Sequence, residues 1–307
     1  MESWGAVADK LAFPEGPVSC DDGSIILVEI AAGRITRIQP DGTKSLVAEP
    51  GGGPNGLAFG PDGALYVCNN GGCRWREWQG MLLPAGKPDR YVTGSIERVD
   101  VASGTVETLY TTGLGADGSV PLHGPNDIVF DRHGGFWFTD NGKSDARSSS
   151  ISGVFYALTD GSSCREVIFP LSGPNGIGLS PDGRTLYVSE TPPARLWAFD
   201  LVAPGEVALQ PGLRGMSGRF VYGAPGLAHF DSLAVEAGGN IAVATIGRGG
   251  ITVVEPDGTP VEFVATDDPF TTNICWGGDD LRTAYVTLGG TGRLVKRAWP
   301  RAGLRLT

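Results

Sequence analysis

One short pattern recurs six times along this chain of 307 residues and limits the folds that it can adopt. Each copy has a turn, then an asparagine or an acidic residue, and then an apolar segment that ends in a second turn. The oxygen-bearing residues are Glu15, Asn55, Asn126, Asn175, Asp231 and Asn273. Successive copies lie 40, 71, 49, 56 and 42 residues apart. A repeat of about 40–50 residues that holds four short strands is typical of a β-propeller.

The segments between these residues show the alternation of a half-buried strand. Residues 64–69 (ALYVCN) and 185–190 (TLYVSE) are rich in β-branched and aromatic side chains with a period of two. Pro-Asp-Gly turns such as residues 61–63 separate them, and the 48 glycines are spread along the whole chain. We therefore predict an all-β fold, a six-bladed β-propeller with four antiparallel strands per blade and a central metal channel.

The six repeats use nearly the whole chain, which predicts a single domain over residues 1–307. Closing the ring removes the edge strands that an open sheet would expose. Either residues 1–12 or residues 293–307 are expected to complete the blade that joins the two ends.

The longest spacing contains an insertion at about residues 69–94 that is unusually apolar for a loop. We predict a lid over the channel mouth, with Trp75 and Trp78 in contact with substrate. The alternative is a loop that packs on its own blade or on another subunit. Three further aromatic residues, Phe220, Tyr222 and Phe270, are expected in loops that face the same mouth.

The bulk properties exclude several classes of partner. The net charge of −10 would repel a phosphate backbone, so no nucleic acid is expected, and no apolar run is long enough to cross a membrane. The amino-terminal segment has no signal-peptide pattern, and the five cysteines lack metal-finger spacing, which favours a cytoplasmic protein with reduced thiols. The expected partner is a small-molecule substrate, and the oligomeric state is left open.

The innermost strand of each blade lines the channel of a propeller, so the six aligned side chains are predicted to converge on one axis. An Asn-Gly pair is by itself a turn signal, and this alternative applies to any single Asn-Gly pair in the set. It does not explain Glu15 and Asp231, whose carboxylates stand in apolar surroundings where an unpaired charge is costly. A cation on the axis would explain both.

Two carboxylates and several amide oxygens suit one hard divalent ion, with Ca²⁺ first and Mg²⁺, Mn²⁺, Zn²⁺ or Fe²⁺ as alternatives. Because no histidine or cysteine falls on the aligned positions, a dedicated zinc or copper site is not expected.

Several longer stretches resemble the gluconolactonase / senescence-marker-protein (regucalcin-like) family of six-bladed propellers. They cover most of the chain in the family's order. They are FPEGPV at 13–18, GPNDIVFDRHGGFWFTD at 124–140, GPNGIGLSPDGRTLYVSET at 173–191, FDSLAVEAGGNIAVAT at 230–245 and TTNICWGGDDLRTAYVT at 271–287.

This resemblance implies one divalent metal ion and hydrolysis of a lactone. The ligands carried over by position are Glu15, Asn126, Asn175 and Asp231, while Asn55 and Asn273 are expected near the substrate. Sugar-lactone members often carry an arginine two residues before the second ligand, where this chain has Gly124, preceded by His123. This departure, together with the apolar insertion, favours a lactone that is less polar than a sugar lactone.

Asp231 is the candidate general base as well as a ligand, and His123 is a second candidate base that would also lie near the substrate. No Gly-x-Ser-x-Gly segment is present, which argues against a serine hydrolase. Two alternatives stay open: a phosphotriesterase-like hydrolase on the same metal site, and a non-catalytic propeller that binds a ligand.

Overall fold

The computed structural model describes residues 3–208 and 218–306; Met1, Glu2, residues 209–217 and Thr307 of the predicted domain lie outside this range. Six antiparallel sheets are arranged as the blades of a β-propeller, which confirms the predicted fold. Each blade has four principal strands, numbered here from the channel outwards. Among the described residues the only helical turn is the short 3₁₀ helix Ile30–Ala32, and no helix is long and apolar enough to span a membrane.

The first three blades follow one another along the chain. Blade 1 comprises Pro14–Ser19, Ile25–Glu29, Arg34–Ile38 and Lys44–Ala48. Blade 2 comprises Pro54–Phe59, Leu65–Asn69, Ser95–Val99 and Val106–Tyr110. Blade 3 comprises Pro125–Phe130, Gly135–Asp140, Ser152–Leu158 and Cys164–Leu171.

The last three blades complete the ring. Blade 4 comprises Pro174–Leu179, Thr185–Glu190, Arg195–Ala203 and Arg219–Gly223, with the short strand Glu206–Val207 beside the third. Blade 5 comprises His229–Val235, Ile241–Ile246, Gly250–Val254 and Pro260–Ala265. Blade 6 comprises Thr271–Gly277, Thr283–Leu288, Arg293–Ala298 and Gly5–Ala8.

Blade 6 closes the ring with both ends of the chain. Its third strand is Arg293–Ala298 and its outermost strand is Gly5–Ala8, which pair antiparallel. The sequence pattern offered the two ends as alternatives, and the structure uses both. The chain then continues to blade 5, where the backbone N–H of Leu304 donates to the carbonyl of Val235 at 2.9 Å.

Three hairpins depart from the four-strand plan. They are Trp75–Trp78 with Met81–Pro84, Thr112–Gly115 with Gly118–Pro121, and Ser144–Asp145 with Ser148–Ser149. The first lies in the predicted insertion at residues 69–94. The second, which the sequence pattern did not predict, extends the sheet of blade 3 and contributes to the spacing of 71 residues between Asn55 and Asn126.

Adjacent blades pack through clusters of buried apolar side chains from their strands. Between blades 2 and 3, for example, the rings of Tyr66 and Phe130 meet edge to face with centroids 5.0 Å apart. Such an aromatic pair contributes about 1 kcal/mol beyond its buried area. The apolar core thus lies between the blades and leaves the axis free for polar groups.

The inner strands approach each other very closely because glycine follows the aligned residue in three blades. A Cβ atom on Gly56 would lie 2.6 Å from the carbonyl oxygen of Asn126, and one on Gly176 would lie 2.4 Å from the backbone nitrogen of Leu233. These Asn-Gly pairs lie within strands, not at turns. Their glycines therefore serve interstrand packing, and simple turn chemistry does not account for the repeat.

Candidate functional site

All six aligned residues lie near the start of an innermost strand, at the same end of the channel. In every blade the pairing register between the first and second strands shifts at or beside this position. A β-bulge re-aims a side chain, and here it allows the six to meet across blades. Each of them is at least nine-tenths buried: Glu15, Asn55, Asn126, Asn175, Asp231 and Asn273.

Hydrogen bonds link five polar side chains from blades 6, 1, 5 and 4. The amide of Asn273 donates to Glu15 Oε2 at 2.7 Å, and the amide of Asn175 donates to Asp231 Oδ1 at 2.5 Å. Ser232 Oγ lies between these pairs, 3.5 Å from Glu15 Oε1 and 3.4 Å from Asn175 Oδ1. The two carboxylates are therefore neighbours on the axis although they are far apart in the sequence.

The electrostatic environment of this pair favours the protonated form in the absence of a cation. Burial raises the pKa of Glu15 well above its usual value, and the nearby charge of Asp231 raises it further. Burial also raises the pKa of Asp231 to about 8, against the lowering effect of the bond from Asn175. Across residues 3–208 and 218–306, no ion pair involves either carboxylate.

The donor set fits a hard cation. Asn126 Oδ1 is buried and has no hydrogen-bond partner among the described residues, so one amide oxygen is free at the same end of the channel as the two carboxylates. Carboxylate and amide oxygens are the ligands that Ca²⁺ prefers. No group of three or more His, Cys, Asp or Glu side chains is placed to hold a metal in the described part of the chain. A metal site on the axis would therefore need amide oxygens of the ring in addition to the two carboxylates.

A third buried carboxylate, Asp127, was not predicted from the sequence. It accepts backbone hydrogen bonds from Ile128 at 3.0 Å and Ile177 at 3.3 Å, and burial raises its pKa to about 7. Its charge also contributes to the raised pKa values of Glu15 and Asp231. The signal was present in the repeat, because Asp127 occupies the place where three other blades have glycine.

Four polar side chains at the ends of second strands hold the loops that lead into the inner strands. Each accepts a hydrogen bond from the backbone N–H of a residue that lies two or three positions before an aligned residue. The bonds are Ala12 to Glu29 (2.8 Å), Gly53 to Asn69 (2.9 Å), Gly124 to Asp140 (2.7 Å) and Ser172 to Glu190 (2.6 Å). These bonds fix the backbone from which the polar ring projects.

The backbone of His123 is held on both sides. Its N–H donates to Asp140 Oδ2 at 2.7 Å, and its carbonyl accepts a hydrogen bond from the hydroxyl of Tyr91. The residue is half-buried in the loop that precedes the inner strand of blade 3. Asn55, by contrast, is buried on the axis, where its carbonyl faces Gly16.

The hairpin of the insertion reaches from blade 2 past blade 1 to blade 6, on the face where the polar ring lies. The ring of Trp75 packs on Phe13 of blade 1, with centroids 5.0 Å apart. The backbone N–H of Leu82 donates to the carbonyl of Gly290, in the blade 6 loop, at 3.1 Å. Trp78 lies at the tip of the hairpin and is half exposed.

The other predicted aromatic residues divide into two groups. Phe270 lies in the loop before the inner strand of blade 6, where both its ring and Met81 Sδ approach Gly290. Phe220 and Tyr222 do not lie in loops as predicted, because both belong to the outermost strand of blade 4. Phe220 packs there on Trp197, and Tyr222 stacks against Phe230.

Comparison with known proteins places this geometry in a family. The profile of the SMP-30/Gluconolactonase/LRE-like region matches residues 13–290. The chain belongs to this family. The match begins at the loop before Glu15 and ends after the last inner strand, so it includes all six residues of the ring.

Curated relatives in this family share about a quarter of their residues with the chain. A gluconolactonase of Zymomonas mobilis is 26% identical over 305 residues, which span 92% of this chain and 77% of that protein. The lactonase drp35 of Staphylococcus aureus is 28% identical over 264 residues, which span 85% of this chain and 72% of that protein. A gluconolactonase structure from Xanthomonas campestris superposes with a TM-score of 0.73 at 22% identity and covers 95% of this chain and 88% of its own.

Proposed function

We propose that this chain is a metal-dependent hydrolase that opens lactone rings. The proposal rests on one observation: two neighbouring buried carboxylates, Glu15 and Asp231, have no cationic partner among the described residues, and the unpartnered oxygen of Asn126 is buried at the same end of the channel. The gluconolactonase and lactonase names of the curated relatives support the reaction class.

Glu15, Asn126, Asn175 and Asp231 would hold one divalent ion, for which Ca²⁺ is the first candidate and Mg²⁺, Mn²⁺, Zn²⁺ or Fe²⁺ are alternatives. When bound, such an ion supplies Lewis-acid polarisation of the lactone carbonyl. The two carboxylates balance its charge. A nearby positive charge also favours their ionised forms, which opposes the effect of burial on their pKa values.

Asp231 is the proposed general base. In its ionised form it accepts a proton from the water that attacks the carbonyl carbon, while the bond from Asn175 holds the carboxylate in place. The bond between the carbonyl carbon and the ring oxygen then breaks, and the ring oxygen takes up a proton. The product is a hydroxycarboxylate. His123, whose backbone is fixed by Asp140, is the second candidate for proton transfer.

The substrate is proposed to carry an apolar part. Phe13 and Trp75 form one aromatic pair at the mouth, and Met81 and Phe270 meet near Gly290. The hairpin would act as a lid that excludes water, with Trp78 at its tip, while Asn55 and Asn273 contact the polar end of the substrate. Gly124 supplies no side chain for a sugar hydroxyl.

Metal analysis and a lactone panel test this proposal together. The purified protein is expected to retain about one divalent ion, and base consumption at constant pH should show hydrolysis of aliphatic or aromatic lactones that is abolished by EDTA. Glu15→Gln is expected to lose both the ion and the activity. Asp117→Asn, which changes an exposed carboxylate, is the matched control.

Retention of both metal and activity in Glu15→Gln would contradict the proposal. Hydrolysis of phosphotriesters in preference to every lactone would assign a different reaction to the same site. Metal binding without any hydrolysis would favour a ligand-binding propeller.

A further inference from the structure

A cavity of about 530 Å³ opens on the face of the propeller opposite the polar ring. Its walls include the hairpins that follow the inner strands of blades 3 and 4, and the carboxy-terminal tail near Leu304. An inner strand separates these hairpins from the ring: Phe130 lies four residues beyond Asn126, roughly 13 Å along the strand. The cavity is therefore distinct from the candidate metal site.

Three guanidinium groups line this cavity in a chain of net charge −10: Arg132, Arg184 and Arg305. Within residues 3–208 and 218–306, none of them forms an ion pair. Arg132 is held across the gap between the two blades, because its Nη2 donates to the carbonyl of Asp182 at 2.5 Å. The three guanidinium groups thus exceed by one the two carboxylates of the lining, Asp131 and Asp182, and none of the three is held in a close ion pair within the described chain.

The two acidic residues of the cavity accept hydrogen bonds from neutral donors. Asp131 accepts hydrogen bonds from the hydroxyl of Tyr156 at 2.9 Å and from the backbone N–H of His133 at 2.7 Å. Asp182 accepts from the hydroxyl of Ser180 at 2.6 Å and from the backbone N–H of Arg184 at 3.0 Å. These carboxylates stabilise their own turns, which leaves the arginine side chains available to a ligand.

The remaining wall is apolar. Leu201, Val202 and Leu306 line it, and the last two are each 64% exposed. Trp137, which is fully buried, backs this wall. Apolar walls with a few polar groups are typical of small-molecule sites, and the volume falls within their usual range of about 300–1,000 Å³.

We propose that this cavity binds a small amphipathic carboxylate, with its anionic group at the arginines and its chain along the apolar wall. A guanidinium recognises a carboxylate through paired N–H donors, and exposed aliphatic side chains gain from covering an alkyl chain. The cavity favours an anion over a cation because its three guanidinium groups outnumber the two carboxylates of the lining. This assignment does not depend on the proposed hydrolase activity.

Calorimetric titration with sodium octanoate tests the assignment. EDTA is included to remove any cation from the ring, so that octanoate cannot bind there as a metal ligand and the opposite face is examined alone. Octanoate is expected to bind at one site, more weakly as salt rises, whereas acetate and octylammonium should bind at least tenfold more weakly.

Two variants locate the site. Arg184→Ala/Arg305→Ala should weaken octanoate binding at least tenfold, and Val202→Asp should do the same through the apolar wall. The matched control, Arg90→Ala/Arg147→Ala, removes two exposed arginines outside the cavity and should bind as the wild type does. Wild-type affinity in both cavity variants would overturn the assignment. Equal affinity for octanoate and octylammonium, or for octanoate and acetate, would overturn the amphipathic anion as the ligand class.

Discussion

Replacing Asp231 by asparagine is expected to stabilise the cation-free protein and to abolish its response to a cation. Burial raises the pKa of Asp231 from 3.8 to about 8. At pH 7 the folded protein therefore holds a proton that the unfolded chain would release. The folded carboxyl group is destabilising, and asparagine removes this penalty while its carbonyl can still accept the bond from Asn175.

The size of the effect follows from the interval between the two pKa values. The pKa of 3.8 in the unfolded chain lies roughly three pH units below pH 7, and each unit is worth about 1.4 kcal/mol. Ionisation of Asp231 in the unfolded state therefore lowers the free energy of unfolding by about 4 kcal/mol. A buried asparagine has a desolvation cost of its own, and we expect a net gain of about 2 kcal/mol. For a domain of this size that corresponds to a rise in Tm of about 3 °C.

The pH dependence has a definite sign. Well below pH 4 the carboxyl group is protonated in both states, so the gain from removing it vanishes and only the desolvation cost of the buried asparagine, about 2 kcal/mol, remains against the variant. As pH rises from 4 towards 8, the unfolded state ionises first, and the wild type loses stability relative to the variant. The advantage of Asp231→Asn should therefore grow between pH 5 and pH 8.

Thermal unfolding in EDTA and in excess Ca²⁺ provides the assay. Ca²⁺ should raise the Tm of the wild type by mass action and leave that of Asp231→Asn unchanged, so the order of stability reverses when the cation is added. Asp117→Asn, at an exposed carboxylate, should behave as the wild type does in both conditions. A lower Tm for Asp231→Asn in EDTA, together with a wild-type response to Ca²⁺, would refute the reasoning.

Four further substitutions test the lid, a loop contact and the packing of the inner strands. Trp75→Ala should raise KM for apolar lactones about tenfold, with little change for small polar ones. Trp78→Ala should have a smaller effect because that ring is half exposed. Steady-state kinetics in which Trp75→Ala left every KM unchanged would contradict the lid. Glu29→Gln should lower the free energy of unfolding, measured with denaturant at pH 7, by about 2 kcal/mol. Burial raises the pKa of the Glu29 carboxyl group, but its three hydrogen-bond donors lower that pKa by more, so the folded protein favours the charged form. That loss should shrink as pH falls through the lowered pKa, and a pH-independent difference would argue against the charged contact. Gly56→Ala should lower Tm by several degrees, since its Cβ would lie 2.6 Å from a neighbouring carbonyl oxygen. Gly238→Ala is the control, because a Cβ there would meet nothing within 4 Å. Equal Tm values for the two variants would contradict the close approach of the inner strands.

The fold could be predicted because each blade repeats one local pattern. Period-two segments and Pro-Asp-Gly turns define hairpins without reference to distant residues, and six copies imply a ring. The closure of blade 6 could not be settled in this way. Strand pairing between Gly5–Ala8 and Arg293–Ala298 is a contact between the two ends of the chain, and both segments have strand character.

The ring of oxygen-bearing residues was predictable for the same reason, since Glu15 and Asp231 stand at equivalent places in their repeats. Asp127 was missed because it follows an asparagine that already filled the aligned position. The orientation of the insertion could not be predicted from the sequence either. It depends on the contact of Leu82 with Gly290, which lies in a loop more than 200 residues away in the chain. Phe220 was assigned to a loop because the strand Arg219–Gly223 is short, with only five residues.

The packing that stabilises the ring also creates the electrostatic cost of the site. Close approach of the inner strands at Gly56 and Gly176 brings together side chains such as Glu15 and Ser232, which are separated by 217 positions. The same approach excludes water from the carboxylates and raises their pKa values. Looser inner strands would relieve this penalty, but they would also separate the ligands that a cation needs. Stability without the cation and affinity for it therefore oppose each other at these positions, so a substitution that improves one is expected to weaken the other.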